Sequence, residues 1–216
     1  MENISKFKDI HKGEDIYVIG SGSSCDYISK DFFDSKVSVG TNQTYRKYDT
    51  TYIVRKEHSL LHKTLNESSS IVLVARRDCG SGKPLNTTQN INRLYYYDHL
   101  TNVSKINLDA FNIKDYLVVS DSTITSSMHF AYHLGAKNII LVGVDHGLLD
   151  GKYVFEGYYD SIKETPWKVW DEYKNWLKKL ERDTVVLKDK INSLGVNVYS
   201  LNPFINFKLE GHVYKG

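Results

Sequence analysis

The chain has 216 residues, 41% of them hydrophobic, and a formal net charge of +2. That length suits one large domain or a domain with a small appendage, and the hydrophobic share is enough for a sizeable core. The near balance of charge argues against an obligatory nucleic-acid or membrane partner, and no apolar run is long enough to span a bilayer. The start, MENISKFKDIHKGED, is polar and mixed in charge, unlike a signal peptide. Cys25 and Cys79, the only cysteines, lack metal-ligand or redox-pair spacing. A cytoplasmic protein is the expectation.

Short apolar runs alternate with helical patterns along the chain. A strand is expected at Ile16–Gly20; it runs into the turn Ser21–Ser24, with a helix over Cys25–Asp31 behind it. Strands at Lys36–Val39 and Thr51–Arg55, a helix at Glu57–Leu65 and a strand at Ile71–Ala75 follow. Between Gly80 and Asp115 the pattern is poor and reads as loops with a short strand around Arg93–Tyr97. Then come a strand at Tyr116–Ser120, a helix at Ser126–Leu134 closed by Gly135, and a strand at Asn138–Gly143. After Pro166 the longest helix carries Trp170, Tyr173, Leu177, Leu180, Leu187, Ile191 and Leu194 on one stripe, with Thr184 in its break and Gly195 at its end. Val196–Ser200 is the last strand. Several strands are apolar throughout, as strands buried on both faces are. The alternation predicts an α/β domain with a mainly parallel sheet.

Ligands of such sheets bind beyond the carboxyl ends of the strands. The polar residues that follow each strand therefore form the candidate site: Ser21 to Ser24, then Thr41 and Asn42. Asp121, Ser122, Thr123, Thr125 and Ser126 come next, followed by Asp145, His146 and Asn202. The stretch Gly20-Ser21-Gly22-Ser23-Ser24 is no P-loop, because no Lys-Ser/Thr pair follows at the required distance. It is no complete dinucleotide fingerprint either, since Cys25 stands where the third glycine belongs. A tight turn with free amides feeding a helix N-terminus remains, which is a natural anion site. On that reading Gly22 is a glycine so that a phosphate can approach the backbone. A carboxylate at Asp145 is expected to raise the pKa of His146 beside it. His129 and His133 lie four apart on one helix, but Phe130 stands where a zinc protease has Glu, so they read as helix-face histidines. Cys25 has no base near it in sequence, and Arg76-Arg77-Asp78 reads equally as an anion clamp or a solvated edge.

These motifs resemble those of the bacterial sialyltransferases of the Campylobacter lipooligosaccharide type. They also resemble the broader family named for archaeal 6-hydroxymethylpterin diphosphokinase, with its flagellin-associated glycosyltransferase-like members. The matching stretches are GSGSS after the first strand, Asn42 in VGTNQTY, ITSSMHFAYHLGAKNIILVGVDHG, and GVDHGLLDGKYVF. The resemblance implies a Rossmann-like fold, with helices on both faces of the sheet and a lid, here placed at 148–166 within one domain. It implies nucleotide contacts from Ser21 and Asn42 and donor contacts from Thr125 and Ser126. In the sialyltransferases two tyrosines after the G-x-D motif steady the departing phosphate without a metal. Tyr153 matches the second, Gly147 occupies the place of the first, and Tyr158 or Tyr159 is left to supply the hydroxyl. Their catalytic histidine follows the lid, whereas here no histidine lies between His146 and His212, which leaves His146 as the base.

The expected activity is therefore sugar transfer from a nucleotide-activated donor, a CMP-linked one where the sialyltransferase resemblance holds, to the hydroxyl of a glycan or small-molecule acceptor. Asp145, His146 and Tyr153 form the catalytic set, and no cofactor is required. Two alternatives stand beside it: an ATP- and magnesium-dependent diphosphokinase-like transferase, and a nucleotide-binding module without catalysis. For the first, Arg55 and Lys56 occupy a place where that branch tends to carry an acidic residue. The sequence leaves homo-oligomerisation open.

Overall fold

The computed structural model describes residues 2–86, 91–101, 114–160 and 170–201, the side chains of 101 and 170–173 excepted. Its strands are β1 (Glu2–Asn3), β2 (Asp15–Ile19), β3 (Val37–Thr41), β4 (Tyr52–Arg55), β5 (Ile71–Ala75), β6 (Leu94–Thr101), β7 (Tyr116–Val119), β8 (Asn138–Val142) and β9 (Asn197–Ser200). They pair in the order β1-β6-β5-β4-β3-β2-β8-β9, with β7 joined to β6, and every pair is parallel. The helices are α1 (Leu61–Glu67), α2 (Thr123–His133) and α3 (Trp170–Ser193). Among the described residues no helix is long and apolar enough to cross a membrane.

The continuous apolar runs follow from burial on both sides of the sheet. Ile16 and Val18 of β2 pack with Ile139 and Leu141 of β8, Met128 and Phe130 of α2, and Leu187 and Ile191 of α3. The alternate residues Tyr17, Ile19, Ile140 and Val142 point the other way, against Cys25, Phe33, Tyr48, Phe155 and Tyr158. On that second face α1 sets Leu61 and Leu65 against Val72, Val74 and Leu94. Each aliphatic side chain buried in this way contributes roughly 1.5–3 kcal/mol. Thr184, the break in the stripe of α3, is fully buried and donates its hydroxyl to the Leu180 carbonyl at 2.8 Å.

Local chemistry moves several boundaries. The expected helix over Cys25–Asp31 is two short 3₁₀ turns, Ser23–Tyr27 and Lys30–Phe33. Helix α2 begins at Thr123, because the Ser122 hydroxyl caps it by accepting from the Ile124 amide at 3.1 Å. Helix α1 lies later than the expected Glu57–Leu65, and β6 extends four residues beyond Tyr97 to Thr101. His129 Nδ1 accepts from the Val118 amide at 3.0 Å, and His133 Nε2 lies 3.1 Å from the Ile4 carbonyl, so both histidines fasten α2 to its surroundings.

From β2 the chain steps outward through β3, β4, β5 and β6, then returns to the other side of β2 with β8 and β9. The reversal separates the ends of β2 and β8, and the two loops interlock there. The Gly20 amide donates to the Val142 carbonyl and the Gly22 amide to the Gly143 carbonyl, both at 2.7 Å. The Ser24 amide donates to Asp145 Oδ2 at 2.8 Å and the Ser24 hydroxyl to Oδ1. A Cβ on Gly22 would lie 2.4 Å from Asp145 Oδ2, and one on Gly143, at φ +62°, would lie 2.3 Å from Cys25 Sγ. Gly22 is thus a glycine because its own protein's carboxylate approaches it, which corrects the phosphate-approach reading.

Gly22→Ala is expected to destabilise the fold by about 2–4 kcal/mol in urea denaturation. Gly151→Ala, at a position with open space around it, should cost about 1 kcal/mol from backbone conformation alone. Equal losses would show that the interlock is not tight.

Candidate active site

A cavity of about 500 Å³ opens beyond the carboxyl ends of β2, β3, β4, β7 and β8. This is where the order of a doubly wound sheet reverses and where such sheets take their ligands. The strand-end loops give it a polar wall that includes Ser21, Asn42, Ser122 and Thr123. Helix α3 gives it an apolar one through Trp176, Leu177 and Leu180.

Of the expected site residues, Ser21, Gly22, Thr41, Asn42, Asp121, Ser122, Thr123, Asp145, His146, Tyr153, Tyr158 and Tyr159 line the cavity. Asn42 sits at φ +51° and His146 at φ +48°, conformations that cost energy and are often held at functional sites. The Asn42 side-chain amide donates to Thr123 Oγ1 at 3.3 Å, which ties the end of β3 to the start of α2.

The remaining expected residues do not line the cavity. Gly20 is closed off by the Gly143 carbonyl, which a Cβ there would meet at 2.4 Å. The Ser23 hydroxyl donates to the Lys152 carbonyl at 2.9 Å, and Ser24 is spent on Asp145. Thr125 donates to the Ser122 carbonyl at 2.9 Å and Ser126 to the Val118 carbonyl at 2.8 Å, both buried inside α2. Because α2 starts at Thr123, Ser122 and Thr123 stand at the mouth in their stead. Asn202 lies outside the described residues. With a short 3₁₀ turn behind it and its Gly20, Gly22 and Ser24 amides bonded within the protein, GSGSS is not the free anion cradle that was expected.

Cys25 is buried, its thiol is pushed up by burial, and it lies 3.7 Å from the Gly20 carbonyl as part of the same interlock. Asp145 is pushed up by burial as well, against the lowering pull of the Ser24 hydroxyl and amide. His146 departs from expectation. Enclosure pushes its imidazole down to about 4, so it is neutral at physiological pH. The adjacent carboxylate does not raise it, because Asp145 is turned toward Ser24 on the neighbouring loop. His146 Nε2 instead lies 3.3 Å from Thr184 Oγ1 of α3.

The described part of the expected lid, residues 148–160, lies along the cavity as a docked strap; residues 161–166 are outside the described set. The Phe155 amide donates to the Ser21 carbonyl at 3.0 Å, and Arg46 Nη1 donates to the Tyr158 carbonyl at 2.9 Å. The Tyr158 hydroxyl is buried, pushed up by that burial, and donates to Gln43 Oε1 at 3.3 Å. Two cationic side chains that end β4, Arg55 and Lys56, also line the cavity. Their place at the carboxyl end of a strand, Arg55 its last residue and Lys56 the next, is the signal that marks them as site residues.

The fold has solved counterparts. The Maf glycosyltransferase of Magnetospirillum magneticum AMB-1 aligns with a TM-score of 0.51 at 12% identity, over 92% of this chain and 35% of that one. This chain thus spans about a third of that protein's length. The sialyltransferase CST-II in complex with CMP aligns with a TM-score of 0.51 at 13% identity, over 93% of this chain and 85% of its own. A variant of the α-2,3/8-sialyltransferase CstII gives 0.50 at 14% identity with the same coverage; the enzyme is from Campylobacter jejuni. Neither a protein-family profile nor a curated protein sequence matches the chain. The common ground is the fold.

The pH dependence of stability follows from His146. Its folded pKa, about 4, lies below the ordinary 6.5, so the unfolded chain takes up the proton first. The neutral imidazole's contribution is complete above 6.5 and is lost as the pH falls toward 4. From pH 7.5 to 4.5 the wild type should lose roughly 2 kcal/mol more than His146→Gln in denaturant titrations. Parallel pH profiles for the two proteins would contradict the assignment.

Proposed function

We propose that the chain is a glycosyltransferase-like enzyme that moves a sugar from a nucleotide-activated donor to an acceptor hydroxyl. The observation that carries this reading is the cavity at the reversal of the sheet, where hydroxyls, amides and two cations face an apolar wall with an indole. Sugars and nucleotides ask for that combination, and one of the structures sharing the fold is a sialyltransferase holding CMP. A cytidine monophosphate-linked donor is accordingly the first to test.

In the reaction proposed, the acceptor oxygen attacks the anomeric carbon. The bond from that carbon to the phosphate oxygen breaks, and its electron pair leaves with the nucleotide. The neutral imidazole of His146 takes the acceptor proton. Ser21, Asn42 and Thr123 orient the nucleotide, and the hydroxyl of Tyr153 steadies the departing charge. Asp145 acts on the geometry, as the latch between two loops, and not as an acid or base. The strap is the element that moves to admit donor.

The diphosphokinase-like alternative finds less support. Of the three described carboxylates along the cavity, Asp121 is paired with Lys179, Asp145 is spent on Ser24 and Glu57 is exposed, while Lys56 reaches between β4 and β7.

Release of CMP from a CMP-linked sugar, followed in EDTA, tests the proposal. The wild type is expected to release it, and Tyr153→Phe should lower kcat about tenfold or more with little change in KM. CMP binding with no turnover of CMP-, UDP- or GDP-linked donors would leave the non-catalytic module as the correct reading.

A further inference from the structure

Arg55 is 3% exposed, yet no carboxylate lies within ion-pair distance of it among the described residues. Its guanidinium makes only neutral contacts, Nη1 donating to Thr64 Oγ1 at 3.0 Å and Nε to the Glu57 carbonyl at 3.4 Å. A buried charge held by neutral acceptors alone is costly, and folds tolerate it where an anion completes the site. The next residue, Lys56, reaches away from it and donates from Nζ to the Ser120 carbonyl at 3.1 Å. Consecutive strand residues point to opposite sides, so the two cations flank the end of β4. Both line the cavity. The anions that could have quenched them are occupied elsewhere: Asp121 by Lys179 and Asp145 by Ser24. Glu57 is exposed.

We propose that Arg55 and Lys56 form a metal-independent phosphate site, which binds the donor's phosphate and neutralises the charge it gains on leaving. The assignment rests on the donor reading above and deepens it. In a monophosphate-linked donor the bridging phosphate is a diester with one negative charge. When the bond to the anomeric carbon breaks, the electron pair stays on the phosphate oxygen and the group becomes a dianion. Two cations match the departing group better than the bound donor, which is the condition for lowering the barrier. The planar fork of Arg55 suits two phosphate oxygens, and Lys56 adds a point charge from the other side.

Calorimetric titration of the full chain in EDTA tests the site, with CMP, cytidine and inorganic pyrophosphate as ligands and wild type, Arg55→Met and Lys56→Met as proteins. Each variant should weaken CMP and pyrophosphate by on the order of tenfold to a hundredfold, with cytidine unaffected. Ligand-free Arg55→Met should melt at or above the wild-type temperature, since it removes a buried charge without a partner. CMP affinity unchanged in both variants would overturn the site and leave the nucleotide reading standing. Pyrophosphate binding that needs Arg55, without nucleotide binding, would support the site and sink the donor reading. If Arg55→Met melts well below wild type while Lys56→Met keeps full affinity, Arg55 is a strut and the proposal fails. Binding of none of the ligands by wild type overturns both.

Discussion

Two loops from adjacent parallel strands have to separate at the centre of this sheet, and a buried latch decides how they do so. The Asp145 carboxylate accepts from both the amide and the hydroxyl of Ser24. The two backbones approach so closely that side chains are excluded at Gly20, Gly22 and Gly143. A buried carboxylate is tolerated because those donors meet it, and charge-assisted bonds of this kind are among the stronger ones available to a fold. The cavity is the space left beyond the latch. The strap closes over it by bonding to the same turn, with the Phe155 amide on the Ser21 carbonyl.

The fold was legible because burial on both faces writes long apolar runs into the strands, and Ile16–Ile19 and Ile139–Val142 are such runs. The strand ends were legible for the same reason, and most of the expected polar residues after them do reach the cavity. What could not be read was which polar groups face a ligand and which face one another. Ser24 and Asp145 are 121 residues apart, and only the folded chain brings them together. The start of α2 was misjudged because the stretch Ser122 to Ser127 offers a series of possible caps. The choice of Ser122 drew Thr125 and Ser126 into the helix. The pKa of His146 was expected to rise because a carboxylate is its neighbour in sequence. Side-chain direction and enclosure, which sequence does not carry, reverse the sign.

A division of labour follows among the charged groups. The buried and ion-paired carboxylates Asp145 and Asp121 are used up by the protein, one as a latch and one in an ion pair with Lys179, whereas the cations at the end of β4 keep only neutral contacts. Such a cavity is stabilised least when empty, and an anionic ligand would supply what the fold withholds. Sites commonly trade stability for binding in this manner. The opposite wall, with Trp176 and two leucines, carries no charge and offers a ring or an acceptor sugar an apolar face.

The most direct test of the account is a crystal structure of the full chain grown with CMP in the presence of EDTA. The account predicts the nucleotide in the cavity between the Ser21–Gly22 turn, Asn42 and the start of α2, with its phosphate against Arg55 and Lys56 and the Ser24–Asp145 latch unbroken. CMP bound elsewhere, or a phosphate seated on the amide of Ser24 with Asp145 displaced, would contradict it.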